Sequence, residues 1–184
     1  MFKSIFGFGR QPNRHVTDAL YEAIVAAARQ PHFYSAWNVP DMPLGRYEML
    51  CLHMFLFLER ARGNQGTLAD VAQELTDEFF KDVDHSLREL GIGDISVPKR
   101  MKKLARMFYG RAEAYRAAVT VGDREALVQA LTRNIQPQQA EWLEAHMLAA
   151  YVFEALEQLA AQPDDALLAG RVSFPSAQQT QVMP

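Results

Sequence analysis

The chain has 184 residues, of which 49% are hydrophobic, and it carries a formal net charge of -3. This supplies one buried core and is too little for two well-filled domains, so we predict a single domain. The slightly acidic balance gives no overall attraction to nucleic acid, and we predict no DNA partner. The single cysteine cannot form an internal disulfide, which favours a reducing cytoplasm.

The first ten residues, MFKSIFGFGR, mix phenylalanine and isoleucine with basic residues. Two interpretations stay open, namely transient contact with an anionic membrane surface and an ordinary frayed chain end. We predict a flexible segment over residues 1–12. The most apolar stretch of the chain, Met49 to Leu58, is far shorter than the roughly 20 residues that span a bilayer, so we interpret it as a core helix.

Apolar residues recur at spacings of three and four along nearly the whole chain, which predicts an all-α, single-domain helical bundle of about six helices over residues 13–171. The first predicted helix runs from about Asn13 to Arg29 and ends before Pro31, because the residue preceding a proline is steered away from helical geometry. The next segment carries three prolines and three aromatic residues. We expect an ordered loop or short turn there, held by Phe33, Tyr34 and Trp37.

The second predicted helix starts near Pro43, with Asp41 as its N-cap, and ends near Arg62. It is apolar on all sides, which predicts a position in the middle of the bundle. His53 lies inside this helix without an acidic partner at helical spacing, and we interpret it as a hydrogen-bonded core residue. Cys51 has no basic neighbour that would lower its pKa, so we interpret it as core filling.

The third predicted helix opens with a capping box formed by Thr67 and Asp70 and reaches about Leu90. A glycine turn follows, and the fourth helix runs from about Pro98 to Val119.

Two further helices are predicted towards the end of the chain. Asp123 should cap the fifth, and Pro137 should open the sixth, which extends to about Ala161 and buries Leu143. After it, the sequence leaves room for a seventh short turn near Pro163 to Ala169. The remainder, residues 172–184, is polar and contains prolines, and we predict that it is a disordered tail.

Charge is segregated between the third and fourth predicted helices. The third is acidic, and its Asp82, Asp84 and His85 lie on different faces, so a solvated acidic surface is a better interpretation than a metal site. The fourth has seven basic residues against the single acid Glu113: Lys99, Arg100, Lys102, Lys103, Arg106, Arg111 and Arg116. We expect about half of these bases to pair with the acidic helix and the rest to form a basic ridge.

The basic ridge is the predicted binding site for a partner, and its chemistry suits an acidic or RNA-like partner or a lipid headgroup surface. Phe80 and Tyr109 fall off the buried stripes of their helices; the alternative for both is a second layer of core. The aromatic loop would add an apolar lip or cover the end of the bundle. The predicted partner-binding residues are Phe33, Tyr34, Trp37, Phe80, Lys99, Lys102, Lys103, Arg106 and Tyr109.

Motifs of catalysis are missing from the sequence. It contains no Gly-rich phosphate loop, nucleophile elbow or HExxH motif, and its five histidines are scattered. We therefore predict no catalytic residue, no metal and no cofactor, and we expect the chain to act by binding another protein. Composition and pattern leave a generic helical protein-binding adaptor open as an alternative.

Two stretches resemble the ubiquinol-cytochrome c chaperone family. They are FYSAWNVPDMPLGRYEMLCLHMFLFLER, from Phe33 to Arg60, and DEFFKDVDHSLRELGIGDISVPKRMKKLARMFYGRAEAY, from Asp77 to Tyr115. The resemblance implies an assembly factor for the respiratory cytochrome bc1 complex that binds newly made cytochrome b.

The resemblance also implies a location and further partners. Mitochondrial members of the family act with a small partner protein and at the ribosome, and for this chain ribosome contact is left open. Because no mitochondrial targeting segment is evident, the chain resembles the bacterial type. The implied location is cytoplasmic, with peripheral contact to the inner membrane.

Overall fold

Regular structure in the part of the chain that the computed structural model describes, residues 13–180, consists of helices alone. The helices are α1 (Arg14–Ala28), α2 (Pro31–Ser35), α3 (Pro43–Ala61), α4 (Thr67–Glu89), α5 (Val97–Thr120), α6 (Arg124–Ile135), α7 (Ala145–Ala160) and α8 (Asp164–Leu168). The prediction of an all-α bundle is confirmed, and α2 and α8 are short additions to the six long helices. The N-terminal segment predicted to be flexible, residues 1–12, lies outside the described residues.

Helix α3 lies in the middle of the bundle, as its all-round apolar sequence predicts. One side gives Met49 and Phe55 to an apolar cluster shared with α5, α6 and α7, and the other gives Met54 and Phe57 to a cluster shared with α1 and α4. All four side chains are at most 1% exposed. Burying a side chain of this size stabilises a fold by roughly 1.5–3 kcal/mol. Both halves of the core therefore depend on α3.

Most helix boundaries lie within two residues of their predicted positions, but not all predicted caps form. Asp41 does not cap α3, because its carboxylate instead accepts a hydrogen bond from Nε of Arg46 at 2.7 Å. Helix α4 follows Gly66, whose φ of 75° suits glycine, and the capping box predicted at its start is not formed. The Asp123 cap of α6 is confirmed, since its carboxylate accepts from the N–H of Ala126 at 2.9 Å.

Helix α7 begins at Ala145 rather than at the predicted Pro137. The residues before it form turns, because they are tied to the segment that follows α2. The indole Nε1 of Trp142 donates to the backbone carbonyl of Trp37 at 2.9 Å, and Trp142 is 3% exposed. Leu143, which a longer helix would bury, is 68% exposed, so its predicted place in the core is wrong.

Up to residue 180, the end of the chain differs from the disorder predicted for residues 172–184, whereas residues 181–184 lie outside the described residues. We call residues 171–180 the tail; it has no helix or strand, yet it lies against the bundle, and Ala177 is 1% exposed. The side-chain amides of Gln30 and Gln162 hydrogen-bond to its backbone. Composition predicted disorder because a polar segment buries little of its own surface, whereas here partners distant in sequence hold it in place.

Candidate partner-binding surface

The outer face of α5 carries the basic residues that the sequence singled out. Its inner face is apolar at helical spacing, and Phe108, Ala112 and Tyr115 there are at most 8% exposed. The outer face is left to solvent, and the following side chains on α5 are exposed: Lys99, Arg100, Lys102, Lys103 and Arg106. We call these five residues the basic surface.

No ion pair within residues 13–180 neutralises the basic surface. We expected about half of the bases of α5 to pair with the acidic helix α4, and this expectation is wrong. The two bases of α5 that are paired, Arg111 and Arg116, bind Glu48 and Glu59 of the central helix α3 instead. The charge of the basic surface is therefore available to a partner.

Most acidic side chains of α4 have partners on their own helix or on α1 and its N-cap residue. Asp84 pairs with Arg88, with Oδ2 2.7 Å from Nε, and the hydroxyl of Tyr21 donates to Asp82 at 2.8 Å. Nε2 of His85 lies 3.2 Å from Oε1 of Glu89, one turn further along α4. The three residues weighed as metal ligands thus have three different partners. In the described part of the chain, no group of three or more His, Cys, Asp or Glu residues is arranged to hold a metal ion.

Phe80 and Tyr109 form an aromatic edge beside the basic surface. Their ring centroids are 6.2 Å apart, and both rings contact Phe108, which is 1% exposed. Phe80 is half-buried, whereas Tyr109 is 57% exposed and lies one turn after Arg106 on the same face. Partial burial and the charge of Asp77 raise the pKa of Tyr109, so its hydroxyl stays a proton donor at neutral pH. Of the two rings, that of Tyr109 is the more exposed to solvent.

The other three predicted aromatic residues lie elsewhere. Phe33 and Trp37 are 0% and 3% exposed, with ring centroids 5.0 and 6.3 Å from that of Tyr151 in α7. Tyr34 is partly exposed, and its hydroxyl donates to the carbonyl of Ala28 at 2.8 Å. Of the two interpretations of this segment, an apolar lip or a cover over the end of the bundle, its burial agrees with the cover. Phe33 and Trp37 are core side chains that cannot reach a partner, so the predicted apolar lip is corrected.

The turn between α4 and α5 carries exposed aliphatic side chains that the sequence pattern did not predict. Leu90 and Ile95 are 61% and 98% exposed. Gly91 and Gly93 identify a turn in the sequence, but they do not tell whether the aliphatic residues around them fold back onto the bundle. Ile95 directly precedes Ser96, the N-cap of α5, so this turn adds an apolar end to the basic surface.

A buried ion pair fixes α5 to the central helix. The side chains of Glu48 and Arg111 are 2% and 10% exposed, and the guanidinium binds the carboxylate through two hydrogen bonds. Burial raises the pKa of Glu48 to about 7, although Arg111 acts in the opposite direction. Carboxyl groups with such pKa values often transfer protons at active sites. However, Glu48 does not line either of two surface clefts, of 540 and 340 Å³, and its role here is structural.

His53 and Cys51 lie in the core, which confirms their interpretation as core residues. Nδ1 of His53 is 2.8 Å from the carbonyl oxygen of Met49, and Nε2 is 2.9 Å from the hydroxyl of Tyr151. A carbonyl only accepts, so Nδ1 carries the proton and Nε2 accepts from Tyr151. Burial lowers the pKa of His53 to about 4 and raises the pKa of the Cys51 thiol. Cys51 is therefore not a reactive thiolate.

Comparison with known proteins places these features in a wider context. Residues 35–174, which include the basic surface and Tyr109, match the family model described as ubiquinol-cytochrome C chaperone. The crystal structure of the Cbp3 homolog from Brucella abortus is similar, with a TM-score of 0.87 and 56% sequence identity over 92% of this chain and 93% of that chain. No curated protein matches the chain. Within residues 13–180, none of the helices combines the length and apolar character needed to cross a membrane.

Proposed function

The chain belongs to the ubiquinol-cytochrome C chaperone family, and on this basis we propose that it is an assembly factor for the respiratory cytochrome bc1 complex that binds newly made cytochrome b. Such a protein needs a surface that holds an incompletely assembled client rather than a reaction centre. We propose accordingly that it acts by binding, and that it is not an enzyme and uses no cofactor.

The basic surface is the observation that carries this proposal. Five exposed bases on α5 have no ion-pair partner within residues 13–180, and they lie on the face that also exposes Tyr109. Tyr and Arg are enriched at surfaces that bind polypeptides, and exposed bases attract a partner of opposite charge during the encounter. The residues that we propose for client binding are Lys99, Lys102, Lys103, Arg106 and Tyr109, with Phe80 supporting the Tyr109 ring.

We also propose peripheral contact with the cytoplasmic side of the inner membrane, through the turn between α4 and α5. Cytochrome b is an integral membrane subunit, so a chaperone that receives it works where the client enters the bilayer. The exposed Leu90 and Ile95 side chains suit shallow insertion, and the neighbouring bases suit anionic lipid headgroups. Co-sedimentation with anionic vesicles measures this contact.

Reversing charge on the basic surface tests the binding of the client. We expect the combined substitutions Lys99→Glu, Lys103→Glu and Arg106→Glu to reduce co-purification of cytochrome b by about tenfold or more, because each replaces attraction with repulsion over a short distance. All three side chains are exposed, so the helical circular dichroism spectrum should be unchanged.

A matched control variant makes the same change in net charge at exposed positions away from the basic surface. Arg14→Glu, Arg29→Glu and Arg133→Glu alter three exposed arginines outside α4, α5 and the C-terminal residues 171–180, and this variant should capture cytochrome b as the wild type does. If the α5 variant keeps full capture, or if the control loses as much, the basic surface is not the binding site.

The adaptor alternative predicts a different set of captured proteins. A pull-down from solubilised membranes that recovers cytochrome b supports the chaperone, whereas recovery of unrelated soluble proteins without cytochrome b supports a generic adaptor. Pulling down with the α5 variant and with the matched control in parallel shows which captured proteins depend on the basic surface.

A further inference from the structure

The tail crosses the bundle and is held largely through its backbone. The side-chain amide of Gln162 makes two hydrogen bonds to one residue, because Oε1 accepts from the N–H of Ser173 and Nε2 donates to its carbonyl, both at 2.9 Å. Gln30 donates to the carbonyl of Pro175 at 3.0 Å and accepts from the N–H of Ala177 at 2.8 Å. These contacts would be available to the backbone of other polypeptide segments as well.

Side chains of the tail fill apolar sites between the helices. The ring centroid of Phe174 is 5.4 Å from that of His53, and Phe174 and Val172 contact both apolar clusters of the core. Ala177, three residues after Phe174, is 1% exposed. We call the site that receives the tail the tail groove; its lining includes Gln30, His53, Gln158 and Gln162.

Release of the tail requires no helix or strand to unfold. Within the described residues the tail has no regular structure of its own, and segments of this kind open locally at a lower free energy than the helices of a core. Opening would leave the amides of Gln30 and Gln162 to water and would expose the apolar sites of Phe174 and Ala177. Exposed apolar sites favour another segment that fills them.

We propose that the tail groove is a second client-binding site, for an extended polypeptide segment with an aromatic residue and a small residue three positions later, and that the tail occupies the groove until such a segment displaces it. This inference rests on the proposed function, since it takes the ligand to be an unfolded polypeptide. Amide side chains that bind a peptide backbone accept many sequences, whereas the apolar site filled by the Phe174 ring favours segments with an aromatic residue at that position. The tethered tail competes at a high effective concentration, so displacement is favoured when the basic surface already holds the client nearby.

Substitutions confined to the tail release the groove without altering its lining. Ser173→Pro removes the N–H that bonds to Gln162, and Phe174→Ser removes the ring. The probe is a fluorescein-labelled peptide, RVSFPSAQQT, with the sequence of the tail, and binding is read by fluorescence anisotropy. We expect the released double variant to bind the peptide about tenfold or more tightly than the wild type, whose groove is occupied.

Paired variants of the groove and of the peptide test how the groove recognises its ligand. In the released variant, adding Gln162→Leu should abolish peptide binding, whereas Gln129→Leu, which alters an exposed glutamine on α6, should not. A peptide with serine in place of the phenylalanine should not bind. A peptide that keeps only the phenylalanine, the following proline and the small residue, with glycine and serine elsewhere, should still bind. Circular dichroism confirms that each variant is folded.

Capture of an unfolded protein separates a client site from a tail that only stabilises the fold. Reduced, carboxymethylated lactalbumin, which stays unfolded, should be captured about tenfold more by the released variant than by the wild type. Equal capture of lactalbumin by the two proteins overturns the inference, even if the labelled peptide binds. Peptide binding alone is not sufficient, because a tail that only stabilises the fold would also bind its own groove when it is supplied as a separate peptide. Co-purification of cytochrome b with the wild-type chain reports on the proposed function separately, so a negative groove result leaves that proposal intact.

Discussion

Two buried polar residues of the central helix have partners that are distant in sequence. His53 accepts from the hydroxyl of Tyr151, besides donating to the local carbonyl of Met49, and Glu48 accepts from Arg111. Leaving such a group unpaired in the core costs about 1–3 kcal/mol, and more for a charged group. The sequence predicted that His53 is hydrogen-bonded in the core, but it could not identify Tyr151, because nothing local indicates a partner on another helix.

The pKa of His53 makes stability depend on pH. In the unfolded chain His53 takes up a proton near pH 6.5, whereas in the folded chain it does so only near pH 4. At this site the unfolded state therefore binds more protons between these values, so the contribution of His53 to the free energy of unfolding should fall as the pH is lowered from 6.5 to 4. This fall is about 3 kcal/mol. Glu48, whose pKa is raised to about 7, contributes with the opposite sign, so the effect of His53 is read as the difference between the wild type and a His53 variant.

Thermal unfolding of wild type and His53→Gln across this pH range measures the effect. The variant is expected to be less stable at neutral pH, because its side chain fits the bonds to Met49 and Tyr151 less well, but to lose less stability on acidification. His146→Gln replaces an exposed histidine and should give a profile parallel to the wild type. Parallel profiles for His53→Gln and the wild type would contradict the buried, neutral state of His53.

At the scale of the helices, local signals predicted positions well and tertiary contacts explain the differences. The apolar periodicity of α3 gave its place in the bundle because no other packing buries all of its faces. The start of α7 was wrong because the bond from Trp142 to Trp37 holds the preceding residues in turns. The exposure of the bases on α5 was predicted from their charge. Exposure was mispredicted for Phe33, because aromatic side chains occur both in cores and on binding surfaces. The burial of Phe33 depends on its contact with Tyr151, which the local sequence does not indicate.

The N-terminus of α5 carries charge of the unfavourable sign. Its first turn contains Lys99 and Arg100 and no acid, although the positive end of a helix dipole favours acids. Lys99→Glu with Arg100→Glu should therefore raise the free energy of unfolding by about 0.3–1 kcal/mol per residue at low ionic strength, while weakening capture of cytochrome b. Thermal unfolding and co-purification measure the two effects.

The control for this variant is a pair of substitutions one turn further along α5. Lys102→Glu with Lys103→Glu makes the same change in charge beyond the first turn, where the dipole effect falls off, so it should weaken capture with a smaller gain in stability. A loss of stability in the Lys99 and Arg100 variant alone would show that these bases stabilise the fold, and would contradict the assignment of Lys99 to client binding.

For the whole molecule, the distribution of charge matters more than its sum. The net charge is -3, yet five exposed bases without an ion-pair partner among residues 13–180 lie on one face of α5, so the rest of the surface is more acidic than the total suggests. An anionic bilayer would repel most of the molecule and attract this face. Membrane contact should therefore be oriented, with the turn between α4 and α5 towards the lipid, and it should weaken as ionic strength rises.

Vesicle co-sedimentation with Ile95→Asp tests this orientation. The wild type should bind vesicles that contain phosphatidylglycerol and not vesicles of phosphatidylcholine alone. Ile95 is 98% exposed, and losing the burial of one such side chain in the bilayer interface is worth roughly 1.5–3 kcal/mol, so binding should weaken tenfold or more. Val121→Asp makes the equivalent change at the other end of α5, where Val121 is 75% exposed, and should bind as the wild type does. Equal loss in both variants, or binding that ignores lipid charge, would mean that the turn between α4 and α5 does not dock on the membrane.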